Sequence, residues 1–397
     1  MSLRCVTPTV TLTLRCFCDF QLLFRSAGVN RSTRSFFSVR RLSLLRPRCQ
    51  DAPSPVVGCK KTLDIHGIMK ICSSCYHNST SDKRNNNVAK VKSSTCTSIS
   101  KLRKDWMPCG KYQVHAWSLS GVETSVVVQT IEDKSLSVAF DIGYATRASV
   151  RCKHVFISHG HLDHVSALFQ HATKRNLYNW TPATYYVPPH LVAPLKQIGE
   201  QMYSLSNTPP VLKQLDIQPI ELGNSVQVSS QYIVRPFATY HRVPSQGYLI
   251  YHRALTPKPH FRHLSSKQLT VLESENKNLS LYDVQYVPEV AFTGDTTFEV
   301  FLTNPPPDLL KVKLLIMEAT YLEGFTPGIV NKARLRGHTH LSEIIEHASL
   351  FDNINNLLLI HMSDKYSVQF AADAVQYQLP GKLREKVQIA TLAKQKS

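Results

Sequence analysis

Ser158-His159-Gly160-His161-Leu162-Asp163-His164 puts three imidazoles and a carboxylate within six residues, directly behind the apolar run 155–158. Imidazole and carboxylate together suit zinc and similar divalent ions. In extended chain, residues i and i+2 point the same way, so His159 and His161 can converge on one ion. Where the chain turns into a helix, Asp163 and His164 can face a second. Further ligands stand at later strand ends: His241 in Tyr240-His241-Arg242-Val243-Pro244, Asp295 in Phe292-Thr293-Gly294-Asp295-Thr296, and His361 in Leu359-Ile360-His361-Met362-Ser363. Open α/β sheets place their sites where hydrophobic strands stop. The set predicts a two-ion centre, with the Asp295 carboxylate able to bridge both ions.

Working outward, the runs 112–119, 123–131 and 136–142 are β-rich and broken by Gly or charge. Further strands are predicted at 155–158, 226–237, 247–251, 290–293, 314–317 and 357–360. Helices are predicted over 163–176, 190–203, 341–351 and 368–378. Strands come first in succession and then alternate with helices, which argues a layered α/β domain over roughly 110–395. No internal repeat is apparent in the sequence.

The composition, 43% hydrophobic and 19% charged, is that of a globular protein. No apolar run nears the roughly 18 residues of a membrane span, so no membrane partner is expected. The net charge of +18 invites a nucleic-acid reading, but residues 1–110 hold 19 Lys+Arg against 5 Asp and no Glu. That surplus leaves only +4 for the rest, so overall basicity says little about the core. Residues 1–50 carry nine Arg, six Ser and one acid, Asp19, as organelle transit peptides do. Residues 51–105, rich in Ser, Thr, Asn and Lys, read as linker or disorder. Nine of ten Cys lie before residue 110. Cys72-Ser73-Ser74-Cys75 has no convincing second half for a zinc site and reads as reduced thiols.

The succession His-x-His-x-Asp-His, His, Gly-Asp-Thr, His resembles the metallo-β-lactamase superfamily, over roughly residues 112–395. The resemblance implies an α/β fold, a four-layer αββα sandwich over 106–397, holding two Zn2+ or Mn2+ ions. Carried over, one ion falls to His159, His161, His241 and Asp295, the other to Asp163, His164, His361 and the shared Asp295. Within the superfamily the chain resembles the tRNase Z family, in its short plant-type form. Met317-Glu318-Ala319-Thr320, Gly337-His338-Thr339, His361-Met362-Ser363-Asp364-Lys365-Tyr366, Phe140-Asp141-Ile142-Gly143 and Val243–Tyr248 carry that likeness. It implies a zinc-dependent endoribonuclease that takes the 3′ trailer from precursor tRNA. Asp163 would be both ligand and general base, His338 would serve the leaving oxygen, and Glu318 would orient His338. A homodimer is implied, and with the leader, a chloroplast or mitochondrial address.

The family's RNA-gripping arm maps to 251–287. This interval has Lys258, Arg262, His263 and Lys267 but no Gly, which predicts a reduced arm and weaker tRNA binding. The rival readings are a sister hydrolase of a small phosphodiester or thioester, and a non-catalytic RNA-binding paralogue. The latter would be expected to have lost ligands, and all seven are present. A polyadenylation-type RNase would need a large inserted domain, for which the later motifs leave no room.

Overall fold

Apolar alternation along the strands decides the layering. The structure, a computed structural model, describes residues 105–276 and 279–396, which belong to one compact unit. The expected transit segment 1–50, the linker up to 104 and the Cys72/Cys75 pair lie outside the described residues.

The first sheet holds β1 (Met107–Cys109), β2 (Tyr112–Leu119), β3 (Glu123–Thr130), β4 (Ser137–Phe140), β5 (His154–Phe156), β6 (Thr184–Val187) and β7 (Asp216–Pro219) in sequence order. The second holds β8 (Val226–Gln227), β9 (Tyr232–Ala238), β10 (Gln246–Pro257), β11 (Tyr282–Phe292), β12 (Leu314–Glu318), β13 (Asn356–Ile360) and β14 (Val387–Ile389), again in order. In each sheet the first three pairings are antiparallel and the last three parallel. The sequence showed no repeat, yet the topology is one seven-strand plan used twice.

Each sheet buries both faces. Leu314 and Ile316 of β12 and Leu358 and Ile360 of β13 face the other sheet, meeting Val126, Val128, Val138, Phe140 and Phe156. The alternate residues Leu315, Met317, Leu357 and Leu359 turn outward onto Leu341, Ile344, Ala371 and Ala374 of the helices Leu341–Glu346 and Val368–Gln378. Val127, Ala139, Val155 and Ile157 do the same on the first sheet, against Leu168, Phe169, Ala172 and Leu195 of the helices Leu168–Leu177 and Val192–Ser206. The result is helix, sheet, sheet, helix. At its centre Phe140 stacks on Phe292 across the sheets, centroids 4.7 Å apart and planes at 4°, with Tyr248 and Phe156 beside them. No described helix is long and apolar enough to cross a membrane.

Several expectations needed correction. The helix expected over 163–176 is two, Leu162–Val165 and Leu168–Leu177. The backbone N–H of Ala167 goes to Ile142 O (3.0 Å) and Ser166 Oγ donates to Gly143 O (3.1 Å), so this turn bonds to the loop after β4 rather than to itself. The strand expected at 226–237 breaks into β8 and β9 around the bend at Ser229-Ser230, and the helix expected at 341–351 ends in a 3₁₀ turn, Ala348–Phe351. The interval 251–287 is built, without any glycine, as a ribbon: β10 and β11 pair from Tyr248↔Phe292 out to Pro257↔Tyr282. Neither β9 nor β12 extends along its outer half, and the helix Ser266–Glu275 caps the excursion. At its base the Arg235 guanidinium lies 4.8 Å from the rings of both Tyr251 and Tyr286.

Candidate metal centre

All seven proposed ligands sit at one edge of the sandwich, just past strand ends. β5 leads into His159 and His161, the short helix Leu162–Val165 presents Asp163 and His164, and His241, Asp295 and His361 follow β9, β11 and β13. Two donor groups form, His159–His161–His241–Asp295 and Asp163–His164–His361. In the first, His161 Nδ1 lies 3.0 Å from His159 Nε2 and 3.2 Å from His241 Nε2. In the second, His361 Nε2 lies 3.3 Å from both His164 Nε2 and Asp163 Oδ2. Ligands about 2.0–2.1 Å from a tetrahedral zinc ion lie about 3.3 Å from one another. The spacings fit that edge length, and the donors are the nitrogen and oxygen atoms such ions take. Asp295 Oδ2 is 3.3 Å from His164, 3.4 Å from His361 and 3.9 Å from His159, within reach of both groups.

The far nitrogen of four imidazoles is bonded in turn. His159 Nδ1 meets Ser158 Oγ (2.9 Å), His164 Nδ1 meets Asp141 Oδ2 (2.7 Å), His241 Nδ1 meets Gly337 O (2.7 Å), and His361 Nδ1 meets Thr320 Oγ1 (3.0 Å). Such partners fix tautomer and ring orientation. Asp141 also accepts from Ser158 N (2.7 Å) and Ser158 Oγ (2.9 Å). Asp141 and His361 both hold the left-handed conformation, φ 56° and 61°, a strain of about 1–3 kcal/mol each that surrounding contacts must hold. Gly337 has φ +79°, and a Cβ there would lie 2.4 Å from His241 Nδ1, so only glycine presents this carbonyl to the ring. None of Asp141, Ser158, Thr320 and Gly337 was assigned a site role from sequence. Their only signal was the Phe-Asp-x-Gly, Glu-Ala-Thr and Gly-His-Thr phrasing.

Burial alone drives His159 well below the ordinary imidazole pKa, and neighbouring imidazoles add to it; His161 and His241 move the same way for the same causes. These rings are neutral and ready to donate a lone pair. His164 is the exception: burial opposes its charge, but the Asp295 and Asp141 carboxylates raise its pKa well above the usual value. Binding an ion there displaces a proton. Asp163 and Asp295 would be raised by burial, but His164 and His361 hold both well below the carboxylate range.

Glu318 closes β12, fully buried. It accepts from Thr296 N (2.7 Å), Thr320 Oγ1 (2.6 Å), Thr339 N (3.2 Å) and His338 Nδ1 (3.0 Å). Four donors from three segments make it a bonded rather than a solvated carboxylate. Burial opposes charge on His338, but Glu318 and then Asp295 raise it to about 9. His338 also groups with Asp295 and His361, but its nitrogen nearest Asp295, Nδ1, is the one bonded to Glu318. His159, His164, Asp295 and His361 are buried, whereas His161, Asp163, His241 and His338 are partly exposed and give the cluster its open side.

A four-layer αββα sandwich with two imidazole–carboxylate groups at one edge defines a metallo-β-lactamase-fold hydrolase. No protein-family model matches the chain. Among solved structures, human tRNase Z, short form, is similar, with 18% identity and a TM-score of 0.43 over 70% of this chain and 95% of its own. The chloroplastic tRNase Z TRZ2 of Arabidopsis thaliana is 35% identical over 278 residues, 70% of this chain and 74% of that protein. TRZ1 of the same plant is 33% identical over 273 residues, 69% of this chain and 93% of that protein. The chain belongs to the tRNase Z family of metal-dependent endoribonucleases.

Proposed function

We propose that this chain removes the 3′ trailer from precursor tRNA by hydrolysing one phosphodiester bond at a centre of two divalent ions, zinc or manganese. The observation that carries the reading is the convergence of two donor groups on Asp295 with the Glu318–His338 pair alongside. His159, His161, His241 and Asp295 would hold one ion, and Asp163, His164, His361 and Asp295 the other. When bound, the ions would act as Lewis acids that neutralise charge developing on the phosphate.

The chain's own residues handle the protons. Asp163, whose Oδ2 accepts from Gly121 N at 2.8 Å and faces His164 and His361, takes the proton of the attacking water on Oδ1. As the bond from phosphorus to the 3′-oxygen breaks, His338 gives that oxygen a proton, leaving a 3′-hydroxyl on the tRNA and a 5′-phosphate on the trailer. Glu318 holds His338 Nδ1, which leaves Nε2 as the nitrogen that passes the proton. The Arg- and Ser-rich residues 1–50 serve as an organellar transit peptide in this reading, to the chloroplast before the mitochondrion given the likeness to a chloroplastic relative. Residues 51–105 act as a linker, and the enzyme works as a homodimer.

The test is the purified protein with zinc or manganese, assayed on precursor tRNA and on bis(p-nitrophenyl) phosphate. Cleavage directly 3′ of the discriminator base supports the reading. Hydrolysis of the small diester without any cut in the tRNA would transfer it to the small-phosphodiester hydrolase, and no turnover of either to a binding paralogue.

A further inference from the structure

The geometry points to a subsite for unpaired RNA on the outer side of the first sheet, a pocket walled by Tyr178, Trp180, Arg147, Arg151 and Lys174 that takes nucleotides of the 3′ trailer by base stacking and phosphate contact. This deepens the tRNA-processing reading and rests on it.

Charge gives the first argument. The core beyond residue 110 is nearly balanced, yet the stretch 143–182 holds five basic residues against one acid, Asp163, which belongs to the metal centre. Three of the five, Arg147, Arg151 and Lys174, line one cavity of about 420 Å³ together with Tyr178 and Trp180. Arg147 and Arg151 are exposed, and among the described residues neither has an ion-pair partner.

The second argument is that the walls are built rather than draped. Arg175, buried, donates to Val150 O (2.7 Å), Cys152 O (3.0 Å) and Thr181 O (2.6 Å), tying the loop that carries Arg151 to the residue after Trp180. Its guanidinium also lies 5.7 Å from the Trp180 ring. Lys174 Nζ donates to Ala145 O (2.9 Å), fixing the opposite wall. Ser149 N bonds to Thr146 Oγ1 (2.9 Å), which rigidifies the turn presenting Arg147 and Arg151. A hydrophobic core needs none of this, and Tyr178 at 57% and Trp180 at 38% exposure are open to solvent, ring centroids 5.0 Å apart. Basic groups around exposed aromatic faces are what unpaired nucleic acid binds to.

The third argument is position. Ala145 follows Ile142, whose backbone bonds to the segment carrying Asp163 and His164: Ile142 N to His164 O (2.7 Å) and Ala167 N to Ile142 O (3.0 Å). A Cβ on Gly143 would overlap Asp163 O, so the two segments touch. The pocket thus begins at Ala145, close to the Asp163 segment, and runs toward Arg151 and Trp180, which stand before the starts of β5 and β6 and so away from the ligand edge. His338 serves the oxygen that stays with the tRNA, and a trailer several nucleotides long can run from the scissile phosphate past Ala145 to the aromatic wall. Stacking needs bases free of a duplex. Near the scissile bond the acceptor stem is paired and the trailer is not.

The experiment compares the full-length enzyme with the variants Tyr178→Ala and Arg147→Ala/Arg151→Ala, on precursor tRNAs bearing a trailer of one nucleotide or of about ten. For the long trailer KM is expected to rise roughly tenfold in Tyr178→Ala. In the double variant the slope of log affinity against log salt is expected to fall by about 1.4. The one-nucleotide substrate and bis(p-nitrophenyl) phosphate are expected to turn over as in the unaltered enzyme, which also reports that the variants fold. Equal losses on both trailers would overturn the inference in favour of acceptor-stem contact, and unchanged KM on both would overturn it outright. Failure of the unaltered enzyme to cut either precursor would instead refute the tRNA-processing reading on which it rests.

Discussion

Replacing Asp141 by Asn changes one atom in a fully buried residue and should remove one ion. Asp141 accepts three hydrogen bonds, from Ser158 N, Ser158 Oγ and His164 Nδ1, all within 2.9 Å. An asparagine that keeps its carbonyl toward Ser158 N turns its amide N–H toward His164 Nδ1. Two donors cannot face each other, so the imidazole moves its proton to Nε2. That nitrogen faces Asp163, Asp295 and His361 and, once protonated, has no lone pair for a metal. The opposite amide orientation spares His164 but strands the buried N–H of Ser158, at about 1–3 kcal/mol. Partners of metal-bound histidines typically contribute about 10–100-fold to affinity, which is about 1.4–2.8 kcal/mol. We expect an ion to be lost from the Asp163–His164–His361 group at chelator concentrations the unaltered protein withstands, while the group around His159 keeps its own. Metal per chain, measured by mass spectrometry after dialysis against a graded chelator series, reads this directly. Two ions retained with affinities within about threefold of the unaltered protein, and an unchanged melting temperature, would refute the tautomer argument.

Asp295→Ala and Asp163→Ala are expected to abolish hydrolysis and lower metal content with little loss of far-UV circular dichroism; full activity in either would sink the two-ion assignment. Phe140→Ala, which empties the inter-sheet stack, should cost about 3–5 kcal/mol in urea unfolding, and a loss below about 1 kcal/mol would mean the stack is not the joint between the sheets. His171 is buried between Tyr185 OH (2.7 Å) and Ser149 O (3.0 Å), and burial lowers it from 6.5 to about 4. The unfolded chain therefore takes up this proton more readily than the folded one between those values. Stability is full above about pH 6.5 and should fall by on the order of 3 kcal/mol toward pH 4; His171→Gln should flatten that slope, and an unchanged slope would exclude His171 as its source. A chain beginning near Asp105 should process precursor tRNA as the full chain does, and a large loss of binding would mean the basic leader supplies phosphate contacts.

The convergence of the seven proposed ligands was legible because metal binding demands particular residue types at strand ends, and apolar strands such as Leu314–Glu318 announce where those ends are. The residues that steer the ligands were not. Asp141 meets partners 17 and 23 residues away, and nothing local distinguishes it from any turn aspartate. Glu318 reads as a solvated carboxylate until the fold brings Thr296, Thr339 and His338 to it. Strands with little apolar signal were missed for a related reason: Asp216-Ile217-Gln218-Pro219 buries only Ile217, so its membership rests on the ladder with β6 rather than on its own composition. The ribbon at 251–287 was underestimated because its outer half has no sheet beneath it to impose alternation.

The doubled seven-strand plan puts matching positions of the two copies at the same site. Phe140 ends β4 and Phe292 ends β11, the same position in each copy, and these two rings are the pair stacked across the sheets. Behind them come Asp141 in one copy and Thr293-Gly294-Asp295 in the other, one carboxylate bonded to His164 and one among the proposed ligands. His159 and His161 follow β5, and Glu318 and Thr320 stand at the end of its counterpart, β12. Four of the seven proposed ligands, with the proposed base Asp163 among them, come from the first copy, and the other three together with the Glu318–His338 pair come from the second, so neither copy could stand in for the other.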